Sequence, residues 1–339
     1  MTKKELESPQ VIYKVYGLNL VSQYHFTHYH KSFPASPDQA SSPVYFACHQ
    51  IPPFPVNWKK GKLIYSQEYL TPTGTRWNKL YHFDAYDIFQ FGWGADYYLS
   101  KNRIDCHLYN PAFQPSVEWY LMGIILAFWL EREGFPVLHS SAIVVNEQVV
   151  AFPSHSGNGK STLAASFLQA GAALLTDDIL AIENQAGQFW GRPGLPQINL
   201  WPDQAAYFTG EKEFEIIPLD GTKQPIHIET FNPPGTFCQK GRPLKCIYIP
   251  RKSDQPAGRT DIEITQVPPA EAVIELLRYS FISSFICEQL GWQSRRLDFF
   301  ARLVRQVPVR RLVYPAGFEH LAGVTEAVMR DLENLPGQT

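Results

Sequence analysis

The chain has 339 residues, with 30 lysines and arginines against 32 aspartates and glutamates, a formal net charge of −2 and 45% hydrophobic residues. This balanced charge gives no support to nucleic-acid binding, which requires a strongly basic face. The five cysteines are odd in number and include no C-x-x-C pair, which favours neither a disulfide framework nor a zinc site. The composition predicts one large or two medium globular domains with substantial hydrophobic cores.

Short β-prone segments, separated by proline, glycine and serine, fill the first part of the chain. They are 11–16, 43–47, 62–65, 81–91 and 96–99. We therefore predict a small β-rich N-terminal domain over residues 1–115. Its aromatic residues could line a peptide or nucleobase groove, but such residues more often serve core and cross-strand packing, so no chemistry is assigned to them.

The most hydrophobic stretch, residues 120–130, is flanked by acidic residues and is too short to span a bilayer. We predict a core helix over 117–131, with residues 106–115 as the connection into it. The sequence begins without a charged-then-apolar leader. A cytoplasmic protein with no membrane partner is therefore expected.

Residues 149–171 have the order strand, glycine-rich loop, helix. The apolar run 149–152 predicts a strand, the loop cannot continue it, and residues 160–170 have helix-forming composition that ends at Gly171. Such a loop offers backbone N–H groups and a helix dipole to a phosphate. We predict that the loop binds the phosphates of ATP through Ser156, Gly157, Asn158, Gly159, Lys160, Ser161 and Thr162.

Two residues of this loop have specific predicted roles. Lys160 is expected to reach the β- and γ-phosphate oxygens, and Ser161 is expected to be a ligand of Mg²⁺. The loop departs from G-x-x-x-x-G-K-[ST] at its first position, where Ser154 replaces glycine. A turn with a purely structural role is the alternative interpretation.

A pair of aspartates follows the helix, at the end of the apolar segment 172–175. A strand beside the loop would bring Asp177 and Asp178 next to the phosphates, and adjacent strand residues point in opposite directions. One carboxylate can then hold Mg²⁺ while the other accepts a proton from an attacking hydroxyl. Solvated acids at a strand-end turn are the alternative.

A histidine, an S-G-x-G-K-S loop, a helix and an Asp-Asp pair occur here in that order, as His139, 156–161 and Asp177-Asp178. This arrangement resembles the HPr kinase/phosphorylase family and the HPr-kinase-like proteins that include lasso-peptide precursor kinases. The resemblance implies an α/β fold (α+β overall), with a P-loop catalytic domain and mixed sheet over 116–339 that ends in α-helices. It also implies a homo-oligomer.

The resemblance further implies a role for each site residue. Lys160 and Ser161 would bind ATP phosphates and Mg²⁺, Asp177 would be the catalytic base, and Asp178 would serve the metal. His139 would lie near the reacting phosphoryl group, although a partly buried, hydrogen-bonded structural histidine is the competing interpretation.

The Glu-Ile-Arg-Gly signature of that family corresponds here to residues 190–194, which keep Arg192 but contain no glutamate. The loss of the glutamate favours a kinase without the reverse phosphorylase activity. Arg192 itself is equally compatible with a phosphate-binding role and with an ordinary loop position.

Strands are predicted at 194–201, 216–219 and 244–250, and helices at 269–278 and 297–304. The basic turn of Lys240, Arg242 and Lys245 is either a clamp for nucleotide or acceptor or a solvated loop. Residues 307–314 are predicted as an edge strand, and its arginines, like Arg295 and Arg296, as solvated charges.

These features predict an ATP-dependent kinase that transfers the γ-phosphoryl group to a hydroxyl. A serine of a peptide or protein is the leading acceptor, on the basis of the resemblance, and a small-molecule alcohol of a biosynthetic pathway is the alternative. A non-catalytic nucleotide-binding sensor or assembly factor is a third hypothesis, of a different class.

Overall fold

The computed structural model describes residues 11–24, 26, 43–71, 74–210, 223–253 and 261–335, and within these ranges it contains 19 strands and eight α-helices. The chain divides into two compact units, residues 1–129 with 285–290 and residues 130–284 with 291–339. The predicted domains were 1–115 and 116–339. Residues 116–129 and the short segment 285–290 thus group with the first unit.

The first unit is based on one sheet. Its strands are β1 (Val11–Val15), β2 (Leu18–Ser22), β3 (Val44–His49), β4 (Lys62–Thr71), β5 (Gly74–His82), β6 (Asp87–Phe91), β7 (Ala95–Leu99) and β8 (Arg103–Leu108). Their order is β1-β2-β3-β8-β7-β6-β5-β4. The predicted strands are present, except that the segment 81–91 is divided into the end of β5 and β6 by residues 83–86. The predicted connection at 106–115 is partly wrong, because residues 106–108 belong to β8.

A helical segment follows β8. It consists of α1 (Gln114–Tyr120), a π-helical turn (Leu121–Ile125) and α2 (Leu126–Arg132). The backbone at Gly123 leaves helical geometry, with φ −91° and ψ −112°, which accounts for the interruption. The helix predicted at 117–131 is therefore confirmed as a kinked one.

The remaining elements alternate between strands and helices. They are β9 (Val137–Val145), β10 (Gln148–Pro153), α3 (Lys160–Gln169), β11 (Ala173–Thr176), β12 (Ile179–Gln185), β13 (Gln188–Gly191), β14 (Gln197–Leu200), α4 (Pro202–Thr209), β15 (Gln224–His227), β16 (Thr236–Phe237), β17 (Arg242–Lys252), β18 (Glu263–Gln266), α5 (Pro269–Arg278), α6 (Ser284–Gln289), α7 (Gln293–Gln306), β19 (Val309–Tyr314) and α8 (Leu321–Asn334).

The main sheet of the second unit is mixed. The central strand β9 is antiparallel to β10, β11 and β12, whereas β17 lies between β10 and β19 and is parallel to both. Along β10, Val150 and Phe152 pack in a core with residues of α3 and α8, and Val149 and Ala151 pack in a second core with residues of α5 and α7. Because both faces are covered, β10 reads as a continuous apolar run. The fold is mixed α/β, as predicted.

Several details differ from the sequence predictions. The segment 307–314 was predicted as an edge strand, but β19 lies between β17 and β18. The prediction of a solvated Arg296 is wrong, because this side chain is fully buried. The strand predicted at 216–219 lies outside the described residues. Within the described ranges, no helix combines the length and the apolar character needed to cross a bilayer.

Candidate phosphate-binding site

The glycine-rich loop joins the end of β10 to the first residue of α3, as its sequence predicts. Gly157 and Gly159 have φ values of +89° and +87°, in the left-handed region that glycine adopts without steric cost. The serine at the first position of the loop is buried, and its backbone N–H donates to the carbonyl of His139 at 3.1 Å. Ser154 thus ties the entry of the loop to β9.

Strand β9 is the element that brings the loop and the aspartates together. The sequence predicts a strand beside the loop that carries the aspartates; in the structure β9 lies between the loop strand β10 and the aspartate strand β11 and pairs with both. Ser141 pairs with Phe152 of the loop strand, and His139 pairs with Ile179 just after the aspartates. Side chains of β9 therefore enter the site from between the two motifs.

Asp177 is a buried carboxylate that accepts hydrogen bonds from three directions. Ser161 Oγ donates to its two oxygens at 3.0 and 3.2 Å, Ser141 Oγ donates to Oδ1, and the backbone N–H of Asn199 donates to Oδ2 at 2.8 Å. Burial, followed by the neighbouring charge of Asp178, raises the pKa of Asp177. The loop serine is therefore coupled directly to this carboxylate.

Asp178 faces a different set of partners. Its Oδ1 lies 2.6 Å from Lys160 Nζ and 3.4 Å from His139 Nε2, and Asn199 Nδ2 donates to its Oδ2 at 2.7 Å. Burial by itself would raise the pKa of Asp178, but the hydrogen bond from His139 and the charge of Lys160 outweigh it and hold that pKa far below its ordinary value. Asp178 is therefore the ionised partner of the loop lysine.

The structure thus brings His139, Lys160, Ser161, Asp177 and Asp178 into one cluster at the N-terminus of α3. Lys160 is only 2% exposed, so its ammonium lies inside the cluster instead of in solvent. A buried cation of this kind requires a nearby anion, and Asp178 supplies it. The positive charge of Lys160 is thus balanced by the negative charge of Asp178.

Arg192 is occupied elsewhere. Its Nε donates to Glu183 Oε2 at 2.7 Å, and its guanidinium lies 3.8 Å from the ring centroid of Phe135. The carboxylate that pairs with Arg192 thus comes from β12. Glu183 would therefore compete with a phosphate for the guanidinium of Arg192.

Three residues beyond the motif also line the pocket at the loop. Trp201, Gln204 and Lys223 line it together with Gly157, Gly159, Lys160, Ser161 and Thr162. Burial, followed by the charge of Lys160, lowers the pKa of Lys223, against the opposing pull of the two aspartates. No sequence pattern identifies Lys223, which lies between Thr222 and Gln224, and Asn199 is one of two polar residues that alternate with apolar ones along β14.

The basic turn of Lys240, Arg242 and Lys245 lies far from the loop. The strands β10 and β17 are parallel, so the loop follows the carboxyl end of one, whereas the turn precedes or begins the other. Arg242 Nη2 pairs with Glu147 Oε2 at 2.7 Å, at that opposite end. The interpretation of this turn as a nucleotide clamp is wrong.

The donor set of the site suits a hard cation that has few protein ligands. Among the described residues, no group of three or more histidine, cysteine, aspartate or glutamate side chains is arranged to hold a metal ion. Mg²⁺ keeps several waters and is bound through one or two protein oxygens plus substrate phosphates. The Ser161 hydroxyl beside the Asp177 carboxylate fits that requirement.

Comparisons with known proteins add one similarity. No family model matches the chain, and no curated protein matches it. Among solved structures, the HPr(Ser) kinase/phosphatase from Coxiella burnetii is similar over 58% of this chain and 97% of that chain, with 13% sequence identity and a TM-score of 0.30. A similarity at this level carries no argument about activity, so the functional argument rests on the site itself.

Proposed function

We propose that the protein is an ATP-dependent phosphotransferase that moves the γ-phosphoryl group of ATP to a hydroxyl. The observation that carries the proposal is the joint placement of the loop and both aspartates at the N-terminus of α3, with Ser161 bonded to Asp177 and Lys160 paired with Asp178. Phosphoryl transfer requires positioning and electrostatic stabilisation more than covalent chemistry, and these groups supply both.

The contacts favour assignments of the two aspartates that are opposite to those implied by the resemblance. Asp177 is 8% exposed and its oxygens already accept from Ser161, Ser141 and a backbone N–H. We assign it to orient Ser161, which together with phosphate oxygens would hold Mg²⁺. The ion, when bound, neutralises charge that develops on the transferred phosphoryl group.

Asp178 is the better candidate for the base. Its side chain is 25% exposed, and His139, which is equally exposed, lies beside it. Its ammonium partner, Lys160, is also the residue expected to contact the β- and γ-phosphates. Phosphate oxygens would compete for Lys160, and Asp178 would then lose its strongest cation and become a better acceptor for the proton of the attacking hydroxyl.

Lys223 is assigned to the phosphates as a second cation. It lines the same pocket as Lys160, and the two positive charges disfavour each other. A bound phosphate would offset the repulsion between the two ammonium groups, so a phosphate-binding role accounts for the position of Lys223. The acceptor is proposed to be a serine hydroxyl of a peptide or protein, which rests on the motif order, with a small-molecule alcohol as the alternative.

The test uses purified protein, γ-labelled ATP, Mg²⁺ and an extract of the source cells, followed by separation of labelled macromolecules from labelled metabolites. Asp178→Asn should retain MgATP binding and lower transfer by about 10²- to 10⁴-fold, the contribution typical of a general base. Asp177→Asn should instead raise the Mg²⁺ concentration needed for binding and transfer. Asp203→Asn, an exposed acid in the first turn of α4, is the matched control.

Each outcome has a distinct meaning. If Asp177→Asn abolishes transfer with normal Mg²⁺ dependence while Asp178→Asn transfers normally, the assignments return to those of the resemblance. Label confined to a metabolite identifies a small-molecule kinase. Wild-type protein that binds MgATP but labels nothing would refute phosphotransfer and favour a nucleotide-dependent sensor.

A further inference from the structure

The carboxyl ends of β17 and β19 lie beside the loop, on the side opposite to the aspartates. In the main sheet, β10 separates β17 from β9, and β9 in turn separates β10 from the aspartate strand β11. The last residues of the two strands, Lys252 and Tyr314, are partners in the ladder. In parallel sheets, ligands bind outside the carboxyl ends of the strands, which makes these two residues candidates for contact with a nucleotide.

Both side chains reach the loop. Tyr314 Oη donates to the backbone carbonyl of Asn158 at 3.4 Å. A Cβ atom placed on Gly159 would lie 2.7 Å from Tyr314 Oη and 3.5 Å from Lys252 Cε. Tyr314 is buried, and burial raises the pKa of its hydroxyl, so it contacts the loop as a neutral group. Tyr314 therefore supports the loop by packing against Asn158 and Gly159.

Lys252 differs from its neighbour Arg251, whose charge is paired with a carboxylate. Arg251 pairs with Glu275 at 3.3 Å and lies over the ring of Tyr279. Lys252 is exposed, and within the described part of the chain no carboxylate forms an ion pair with it. Its aliphatic stem lies against Gly159, and its ammonium, unpaired with any carboxylate of the described ranges, can bind an anion.

We infer that Lys252 binds the phosphate chain of the nucleotide, from the side of the loop opposite to Asp177 and Asp178. This inference rests on the proposed nucleotide site. The nucleotide would then be held between two groups of cations, with Lys160 and Lys223 on one side and Lys252 on the other. A charge-assisted hydrogen bond of this kind contributes about a tenfold or greater change in affinity.

The test compares Lys252→Met, which keeps most of the stem, with Lys252→Arg, which keeps the charge. Lys240→Met is the matched control, because Lys240 is an exposed lysine just before the opposite end of β17. The Kd values for MgATP and for inorganic triphosphate are measured by calorimetry. Lys252→Met should weaken binding of both ligands about tenfold, whereas Lys252→Arg and Lys240→Met should remain within about twofold of wild type.

The two proposals fail in different ways. Wild-type protein that binds neither ligand overturns the nucleotide site and this inference with it. Wild-type protein that binds while Lys252→Met is unchanged overturns only the assignment of Lys252. Weaker binding of MgATP with unchanged binding of triphosphate would place the contact on the nucleoside and overturn the phosphate assignment.

Discussion

Arg296→Met should destabilise the second unit strongly, because it would strand a buried carboxylate. Arg296 is fully buried on α7, where its Nε donates to Glu131 Oε1 at 3.0 Å and its Nη1 donates to the carbonyl of Ile282 at 2.9 Å. Glu131 is 1% exposed, and its other oxygen accepts the backbone N–H of Val137 at 3.1 Å. Methionine would roughly fill the space but supply no donor.

The magnitude follows from what remains after the substitution. Glu131 would keep one hydrogen bond, lose its counter-ion and stay out of water, a situation that costs about 3–5 kcal/mol. Glu131→Gln with Arg296→Met removes the charge and keeps an acceptor for Val137, so it should recover at least half of the loss. The exposed pair of Arg302 with Asp298 provides the control, since Arg302→Met should cost less than about 1 kcal/mol.

The same substitution should also lower phosphoryl transfer. Val137 begins β9, the strand that carries His139 into the site. Ile282 belongs to the segment after α5, and the carbonyl of Tyr279 in that segment accepts the backbone N–H of His139 at 2.7 Å. The buried pair therefore contacts both the start of β9, which carries His139, and the segment whose carbonyl accepts the backbone N–H of His139. Transfer by the Arg296→Met variant should fall under conditions in which the variant is still folded and still binds MgATP.

Urea denaturation followed by circular dichroism measures the stability effect, with the slope m compared between variants because a changed slope would indicate a changed unfolded or native state. Midpoints that place Arg296→Met within about 1 kcal/mol of wild type would refute the reasoning. A double variant less stable than Arg296→Met would refute it as well, since it would show that the stranded charge is not the cause.

Two further predictions concern single positions. Gly159→Ala should weaken MgATP binding at least about tenfold in a titration, because its φ is +87° and the new Cβ would meet Tyr314 Oη at 2.7 Å; Tyr314→Phe should restore only part of the loss, as the backbone strain would remain. Burial, opposed by a hydrogen bond from Gln90, raises the pKa of Asp96 from 3.8 to about 6. The folded chain thus binds this proton more tightly than the unfolded chain, so stability falls as pH rises from about 4 to 6, and Asp96→Asn should stabilise by up to about 3 kcal/mol at pH ~8 and by almost nothing at pH ~4 in denaturant titrations.

The loop could be predicted from the sequence because its determinants are local. Two glycines at positions that require positive φ, an apolar strand before them and a helix after them specify the turn within a few residues. The place of β9 between the loop strand and the aspartate strand could not be predicted, because the order of strands in a sheet depends on contacts between distant segments. Ser141, which binds Asp177, was missed for that reason.

The buried arginine was partly readable. Arg296, Phe299, Phe300 and Leu303 occupy one stripe of α7 at helical spacing, and all four are buried. An arginine within such a stripe indicates burial with a partner, but two adjacent arginines suggested solvated charge instead. Its partner Glu131 is 165 positions away in the sequence, and no local pattern identifies it.

The aspartates were expected to diverge because neighbouring residues of a strand point to opposite faces. The structure separates them by a different device: β11 ends at Thr176, and Asp178 has a φ of +64°, in the left-handed region. Asparagine and aspartate tolerate that region better than most residues do, whereas alanine is strained there by about 1 kcal/mol. Asp178→Asn therefore removes the charge and leaves the turn intact, so a loss of transfer in that variant reports on the carboxylate, while Asp178→Ala would combine the loss of charge with a change in the backbone that also carries Asp177.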